Sequence, residues 1–430
     1  MPTSPMPILE ELEARGLLAD VTDRTGLGEL LATGPVTFYV GYDPTSSSLH
    51  VGNLVPVMLQ VRLQRAGHKP IVLVGGATGM IGDPSGKSAE RNLMSDEELN
   101  RNLAGIRSQL ARFLDFSPGP TGAIIVNNAD WTRPISFLEF LRDVGKYLTV
   151  NYMMAKDSVK SRLESDNGIS FTEFSYLVLQ AYDFLQLFDR YGCTLQMGGS
   201  DQWGNITAGI DLIRKLRAKK AHGLVWPLMK TAAGTKFGKT EAGTIWLDAA
   251  RTSPFRFYQF WLNTDDRDVV AHLKAFTFLD RSAIDELDAA TTSAPEKREG
   301  QRVLAREVTA LVHGQDQVSR AEHASGLLFG EDIATLAVED VLAVFEDVPS
   351  TELPAADFDG EGVGMVELVA RVQLASSRSD ARRLVQSGGV YVNNRRVSDA
   401  QARLTRDQAI GGRLLVLRKG QKQTHLVRLT

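Results

Sequence analysis

The chain has 430 residues, 43% hydrophobic and 23% charged, with a formal net charge of −4. These values exclude a disordered chain and a collagen-like repeat, and at roughly 100–200 residues per domain they imply two to four domains. A single cysteine, Cys193, excludes an intramolecular disulfide and fits a reducing, cytoplasmic compartment. No apolar run reaches the ~18–20 residues of a membrane span, and the first residues lack the basic-then-apolar order of a secretory signal.

Charge is unevenly placed. Residues 331–365 hold ten acids and no base, whereas residues 366–430 hold 13 Arg/Lys against 4 Asp/Glu, an excess of +9. A basic block behind an acidic stretch implies a polyanionic partner, with nucleic acid the first expectation.

In chain order, residues 8–15 read as a short helix stopped by Gly16. Buried strands are expected at 36–41 (VTFYVG), 71–74 (IVLV) and 124–126 (IIV), with a helical pattern at 54–66. That alternation implies an α/β fold, a parallel sheet with helices on both faces. From 254 to about 345 helical patterns dominate. Residues 349–364 (PSTELPAADFDGEGVG), with two prolines, three glycines and four acids, read as a linker. The basic block beyond reads as a compact module. Ser379 is expected to cap a helix carrying Arg382 and Arg383, and an Asn393-Asn394 turn stands beside Arg395 and Arg396.

Five motifs carry chemistry. GYDPTSSSLHVGN (41–53) leaves a strand and enters a helix. Ser46, Ser47 or Ser48 can cap that helix. His50 then stands in its first turn, where free N–H groups favour phosphate. GGATGMIGDPSGK (75–87) fails as a P-loop because three residues, not four, separate Gly82 from Gly86. It reads instead as a glycine-lined wall at a strand end, carrying Asp83. The third motif is a helix opened by a Ser170/Glu173 capping box, apolar nearly all round yet bearing Tyr176, Gln180 and Asp183 on one face. Burying an amide and a carboxylate costs several kcal/mol unless they are partnered, so this stripe reads as a ligand wall. QMGGSDQWGN (196–205) sets Asp201 and Gln202 at a strand-to-helix turn, where an acid commonly takes ribose hydroxyls. KTAAGTKFGKTEAGT (230–244) is a Gly/Thr-rich loop bearing Lys236 and Lys239. No Cys/His cluster argues for zinc.

Together these motifs resemble the bacterial tyrosyl-tRNA synthetases, of class I, along essentially the whole chain. PTSSSLHVGN is similar to the HIGH signature, with Asn53 in its last place. KFGKT is similar to KMSKS, with Phe237, Gly238 and Thr240 departing from it. LQAYDF and GGSDQWGN, with Tyr39 ahead of Gly41, favour tyrosine over tryptophan.

The resemblance implies a Rossmann-like catalytic domain at 1–248, a helical anticodon-binding domain at 249–348, a linker at 349–364, an S4-like RNA-binding domain at 365–430, and a homodimer. It implies that Tyr39 and Asp183 hold the phenol of L-tyrosine. Asp83, Tyr176 and Gln180 would bind its ammonium, and Gln202 would lie near its carboxylate. His50, Asn53 and Thr45 would contact ATP phosphates. Gly52 and Asp201 would meet the adenosine, with Gly41, Asp43 and Gly199 beside the nucleotide. Lys87, Arg91, Lys236, Lys239 and Thr240 would sit on loops that close over the transition state. Mg²⁺ would arrive with ATP, and Arg382, Arg383, Arg395 and Arg396 would bind tRNA.

Overall fold

The computed structural model describes residues 6–85, 95–164, 168–235, 237–240, 243–328, 333, 338, 341–342, 345, 348–420 and 423–430. Two compact units emerge: Met1–Thr252 with Phe260–Val312, and Ser253–Gln259 with His313–Thr430.

The first unit is built on strands β1 (Asp20–Val21), β2 (Thr37–Tyr42), β3 (Lys69–Val74), β4 (Ile124–Asn127), β5 (Leu195–Gly199) and β6 (His222–Trp226). Their order is β1-β6-β5-β2-β3-β4, parallel except for β1, which pairs antiparallel with β6 at the edge. From β2 the chain runs outward through β3 and β4, then returns to the other side of β2 with β5 and β6. The sequence direction therefore reverses between β2 and β5, and open α/β sheets bind ligands at the carboxyl ends of such strands. The expected doubly covered sheet is present. On one face Tyr39, Ile71 and Leu73 join a core with Leu177, Phe184, Leu212 and Ile213, which come from helices Phe171–Tyr191 and Trp203–Arg217. On the other, Tyr42 reaches helix Leu54–Arg65, donating from its hydroxyl to Gln60 Oε1 at 2.8 Å. That helix is buried all round from Leu54 to Leu63, including Gln60 and Arg62. Arg62 is matched by Glu11 Oε1 at 2.9 Å. A short hairpin of β7 (Lys239–Thr240) and β8 (Gly243–Thr244) follows the sheet.

The second unit contains a five-stranded sheet. Its strands are β9 (Ser350–Leu353), β11 (Val390–Val392), β12 (Arg395–Val397), β14 (Leu414–Lys419) and β15 (Gln423–Leu429), in the order β12-β11-β14-β15-β9. Strands β10 (Val363–Gly364) and β13 (Arg403–Leu404) form a separate pair. Asn393 and Asn394 both take positive φ, 45° and 66°, as a tight β11–β12 hairpin requires.

Three expectations need correction. Ser350–Leu353 is not linker: it pairs in parallel with Leu426–Leu429 of β15, because backbone hydrogen bonding is indifferent to the acidic, proline-flanked composition that suggested a tether. The cap of helix Arg378–Gln386 is Ser377, which accepts the Asp380 N–H at 3.1 Å, rather than Ser379. None of Ser46, Ser47 and Ser48 caps the turn after them. His50 does so itself, because Ser48 Oγ is engaged with the Leu49 carbonyl at 2.7 Å.

Helix Asp96–Leu110 positions that turn. Asn102 donates to the Pro44 carbonyl at 2.9 Å, and Gln109 Oε1 accepts the Leu49 N–H at 2.8 Å. Gly105 lies between them on the same face, and a Cβ there would stand 2.0 Å from the Ser47 carbonyl oxygen. Alanine usually strengthens a helix over glycine by about 1 kcal/mol. Here the sign reverses. Gly105→Ala should lower unfolding stability by roughly 1–3 kcal/mol, since two backbones must separate. Urea denaturation checks this, and a stabilised variant would contradict the close approach.

Candidate active site

At the carboxyl ends of β2 and β5 lies a cavity of about 710 Å³. Fourteen of the anticipated residues line it: Tyr39, Gly41, Asp43, Thr45, His50, Gly52, Asn53, Asp83, Tyr176, Gln180, Asp183, Gly199, Asp201 and Gln202. Lys87, Arg91 and Lys236 lie outside the described residues. Lys239 and Thr240 fall on β7, and only their backbone is described.

Helix Phe171–Tyr191 carries the polar stripe to the cavity. Its N-cap Ser170 accepts the Glu173 N–H at 3.2 Å, and Glu173 is buried against Arg162 at 2.6 Å. Asp183, further along the helix, is 2% exposed. Its Oδ2 accepts from Asn128 Nδ2 at 2.9 Å and its Oδ1 from Trp131 Nε1 at 2.7 Å. Burial still outweighs these donors and pushes its pKa up to about 7. Beside it, the Tyr39 hydroxyl is buried with no hydrogen-bond partner, as is Gln196 Oε1, another residue of the cavity wall. Burial, and next the Asp183 charge, holds the Tyr39 phenol well above its ordinary range. A carboxylate has lone pairs beyond the two used here, so this corner can accept one more hydroxyl.

A second polar network forms nearby. Gln202 Nε2 donates to Asp83 Oδ2 at 2.7 Å, while Asn205 Nδ2 donates to Gln202 Oε1 at 3.1 Å and to Gln180 Oε1 at 3.0 Å. Asp83 Oδ1 also accepts the Ser85 N–H at 2.9 Å. Carboxylate and amide oxygens thus converge, an arrangement suited to an ammonium group.

At the other end, His50 Nδ1 accepts the Gly52 N–H at 3.0 Å, and Asn53 Oδ1 accepts the His50 N–H at 3.0 Å. With Nδ1 an acceptor, the hydrogen of a neutral ring sits on Nε2. A Cβ on Gly52 would lie 2.8 Å from the imidazole Cε1, so only glycine lets this ring fold over its own turn. Segment 245–248 straps the turn from outside: Val51 N–H donates to Ile245 O at 3.0 Å and Leu247 N–H to Leu49 O at 2.8 Å.

A family model described as "tRNA synthetases class I (W and Y)" matches residues 31–330. The chain belongs to this family. A second model, "Tyrosine--tRNA ligase SYY-like C-terminal domain", matches residues 340–427 of the same synthetase chain. The tyrosine--tRNA ligase of Roseiflexus castenholzii is 55% identical, covering 98% of this chain and 99% of its own. That of Geobacillus stearothermophilus is 52% identical over 98% and 100%. Among solved structures, a C-terminally truncated mitochondrial tyrosyl-tRNA synthetase from Aspergillus nidulans superposes with a TM-score of 0.68 at 33% identity, covering 75% of this chain and 94% of its own.

Sequence reasoning missed Asn128, Trp131, Gln196 and the hub role of Asn205 in this synthetase. The first two follow β4 as NNADW, and two asparagines at a strand's carboxyl end were the available signal. In the tail, Arg382, Arg383, Arg395 and Arg396 are all exposed. Arg396 donates to the carbonyls of Gly388 at 2.8 Å and Ser387 at 3.1 Å, closing the end of helix Arg378–Gln386. Part of its hydrogen-bonding capacity is therefore structural.

The Asp183 carboxyl holds its proton more tightly when folded (about 7) than when unfolded (about 4), so its contribution to stability falls as pH rises through that window. Asp183→Asn lacks the titration. Relative to that variant, wild type should lose up to roughly 4 kcal/mol between pH 4 and pH 8. Paired urea melts measure the difference, and a pH-independent gap would contradict the raised pKa.

Proposed function

We propose that this chain is a tyrosine--tRNA ligase: it joins L-tyrosine to ATP as tyrosyl-adenylate, releasing pyrophosphate, then passes tyrosine to the 3′-terminal adenosine of tRNA(Tyr). The observation that carries this reading is the unpartnered Tyr39 hydroxyl beside the buried Asp183 carboxylate in the cavity wall. A phenol hydroxyl satisfies both groups; a phenyl ring leaves both wanting.

In this reading Asp83, Tyr176 and Gln180 take the ammonium, and Gln202 lies near the carboxylate. His50, Asn53 and Thr45 meet the ATP phosphates, and Gly52 and Asp201 the adenosine. Gly41 and Gly199 leave room for the nucleotide, and Asp43 stands beside it. A Cβ added to Gly41 would meet nothing within 4 Å, so the backbone there is open to a ligand. The substrate carboxylate is already ionised at neutral pH, so attack on the α-phosphate needs no general base. The chain's residues align the two substrates and stabilise charge on the departing pyrophosphate, the part we assign to His50, Lys87, Arg91, Lys236, Lys239 and Thr240. Mg²⁺ enters as the partner of the triphosphate. Among the described residues no set of three His, Cys, Asp or Glu side chains could hold a metal ion, and no step is routed through one.

The catalytic, helical and S4-like domains, the cytoplasmic location and the homodimer complete the proposal. For the dimer, Phe137, Leu138, Val150 and Phe171 are 66%, 77%, 59% and 71% exposed, large apolar side chains that a second copy would cover. No described helix is long and apolar enough to cross a membrane.

ATP–pyrophosphate exchange tested with each amino acid should respond to tyrosine alone. Asp183→Ala should cut discrimination against phenylalanine by at least roughly 100-fold, a fraction of what tyrosyl-tRNA synthetases as a class are known to achieve. Activity that survives with discrimination intact would overturn the assignment of Asp183.

The exposed Arg382, Arg383 and Arg395 suit tRNA phosphates. Ile333, Val341 and Phe345 pack with Ile410, Leu414, Val416 and Leu426, so the tail unit is removed cleanly only by a cut ahead of them. A chain ending at Leu328 should form tyrosyl-adenylate at near-normal rate and charge tRNA poorly. Its residual tRNA binding should have a flatter salt dependence, by about one unit of slope for each phosphate the truncated chain no longer neutralises. Pyrophosphate exchange and aminoacylation on the same protein check this. Full charging at low tRNA concentration would make the tail dispensable.

A further inference from the structure

Phe237 stands in sequence between Lys236 and Lys239, in a Gly/Thr-rich polar loop, yet it is only 4% exposed. Its ring stacks on Phe276, with centroids 5.3 Å apart and planes 21° from parallel. His272 lies at 4.8 Å, and Phe260 and Trp261 at 5.8 Å each. These partners also hold one another: Trp261 meets Phe276 at 5.0 Å and His272 meets Phe276 at 5.7 Å. All four come from residues 260–276, and none of them lines the cavity. Phe237 does line it.

The backbone at the same place touches the His50 turn. Gly238 has φ +87°, and a Cβ on it would stand 3.0 Å from Val51 Cγ2 and 3.2 Å from the Gly52 nitrogen. A Cβ on Gly52 would in turn lie 3.6 Å from the Phe237 carbonyl oxygen. One residue is therefore gripped by an aromatic cage through its ring while its main chain is laid against the phosphate-facing turn. Its neighbours in sequence are the two lysines on which the adenylation reading depends.

We propose that Phe237, clamped by Phe260, Trp261, His272 and Phe276, is a positioning residue: it fixes the Phe237–Gly238 backbone on the His50–Gly52 turn so that the lysines on either side serve the transition state. The inference rests on the ligase reading and deepens it. Lysine side chains are long and flexible, and a charge delivered to departing pyrophosphate is effective only if its backbone root is held; a displacement of about 1 Å can cost on the order of 100-fold in rate. An aromatic ring in a packed apolar cage is a rigid anchor, and a glycine beside it permits the closest backbone contact.

The test compares wild type with Phe237→Ala, Phe237→Leu and Phe276→Leu, the last remote from the cavity. Phe237→Ala should lower kcat of tyrosine-dependent pyrophosphate exchange by at least about tenfold, with tyrosine affinity in equilibrium dialysis changed by less than about twofold. Phe237→Leu should recover most of the rate, and Phe276→Leu should reproduce the kcat loss in milder form, again without loss of tyrosine affinity. Unchanged kcat in Phe237→Ala overturns the proposal. So does a parallel fall of kcat and tyrosine affinity in the well-folded leucine variants, which would mark a general packing role. Wild type that lacks tyrosine-dependent exchange rejects the ligase reading itself, and the positioning role with it.

Discussion

A carboxylate buried in a protein interior must be matched by donors, and the arrangement of the cavity follows from that demand at Asp183. Asn128 and Trp131 supply the donors from the short helix Ala129–Thr132 after β4 and its N-cap. Asn128 is itself pinned: it donates to Thr78 Oγ1 at 2.8 Å and accepts the Ala77 N–H at 2.7 Å. One ionisable group thus ties together the loop after β3, the segment after β4 and helix Phe171–Tyr191. Tyr39 of β2 then faces a corner whose walls are set by hydrogen bonds rather than by apolar contact alone. Its ring packs on Phe184 at 5.4 Å, so the apolar core begins one residue from the carboxylate. The burial that makes the helix stable is the same burial that perturbs Asp183.

Most of this was legible in the sequence where the signal is local. Strand runs such as IVLV, the glycine clusters at strand ends, and the Tyr176/Gln180/Asp183 stripe all obey short periodicities. Partners remote along the chain were not legible. Trp131 lies 52 residues from Asp183, and Gln109 lies 60 residues from the Leu49 amide it accepts. Nothing in an isolated tryptophan or glutamine distinguishes such a role from ordinary core or surface use. Helix Leu54–Arg65 presents the same difficulty. Gln60 and Arg62 stand two residues apart, on nearly opposite sides of the helix, and each is buried because remote partners meet it: Tyr42 and the Ile71 carbonyl for the first, Glu11 and the Thr277 carbonyl for the second.

Composition misled where backbone pairing decides the structure. Residues 349–364 are rich in proline, glycine and acids, yet Leu353 and Phe358 are buried in the tail's core with Val427 and Leu429. A strand of four residues needs only main-chain partners and one or two apolar side chains to be held at a sheet edge. The arginines show a related division of labour. Charge counts alone treat Arg382 and Arg396 alike, and both are exposed, but the second also closes a helix end.

The parallel pairing of β9 with β15 bears on how such a tail can be inherited. The sheet's outer strand is encoded well before the strand it pairs with, ahead of helices Met365–Arg371 and Arg378–Gln386. A recombination junction placed at the glycines near residue 364, where composition changes most sharply, would leave β9 behind with the donor gene and make β15 an open edge. Exposed strand edges invite pairing with other chains. Shuffling of this module between genes is therefore constrained to breakpoints ahead of Ile333, whose side chain packs with the tail's strands, and the acidic stretch travels with the sheet as one heritable block.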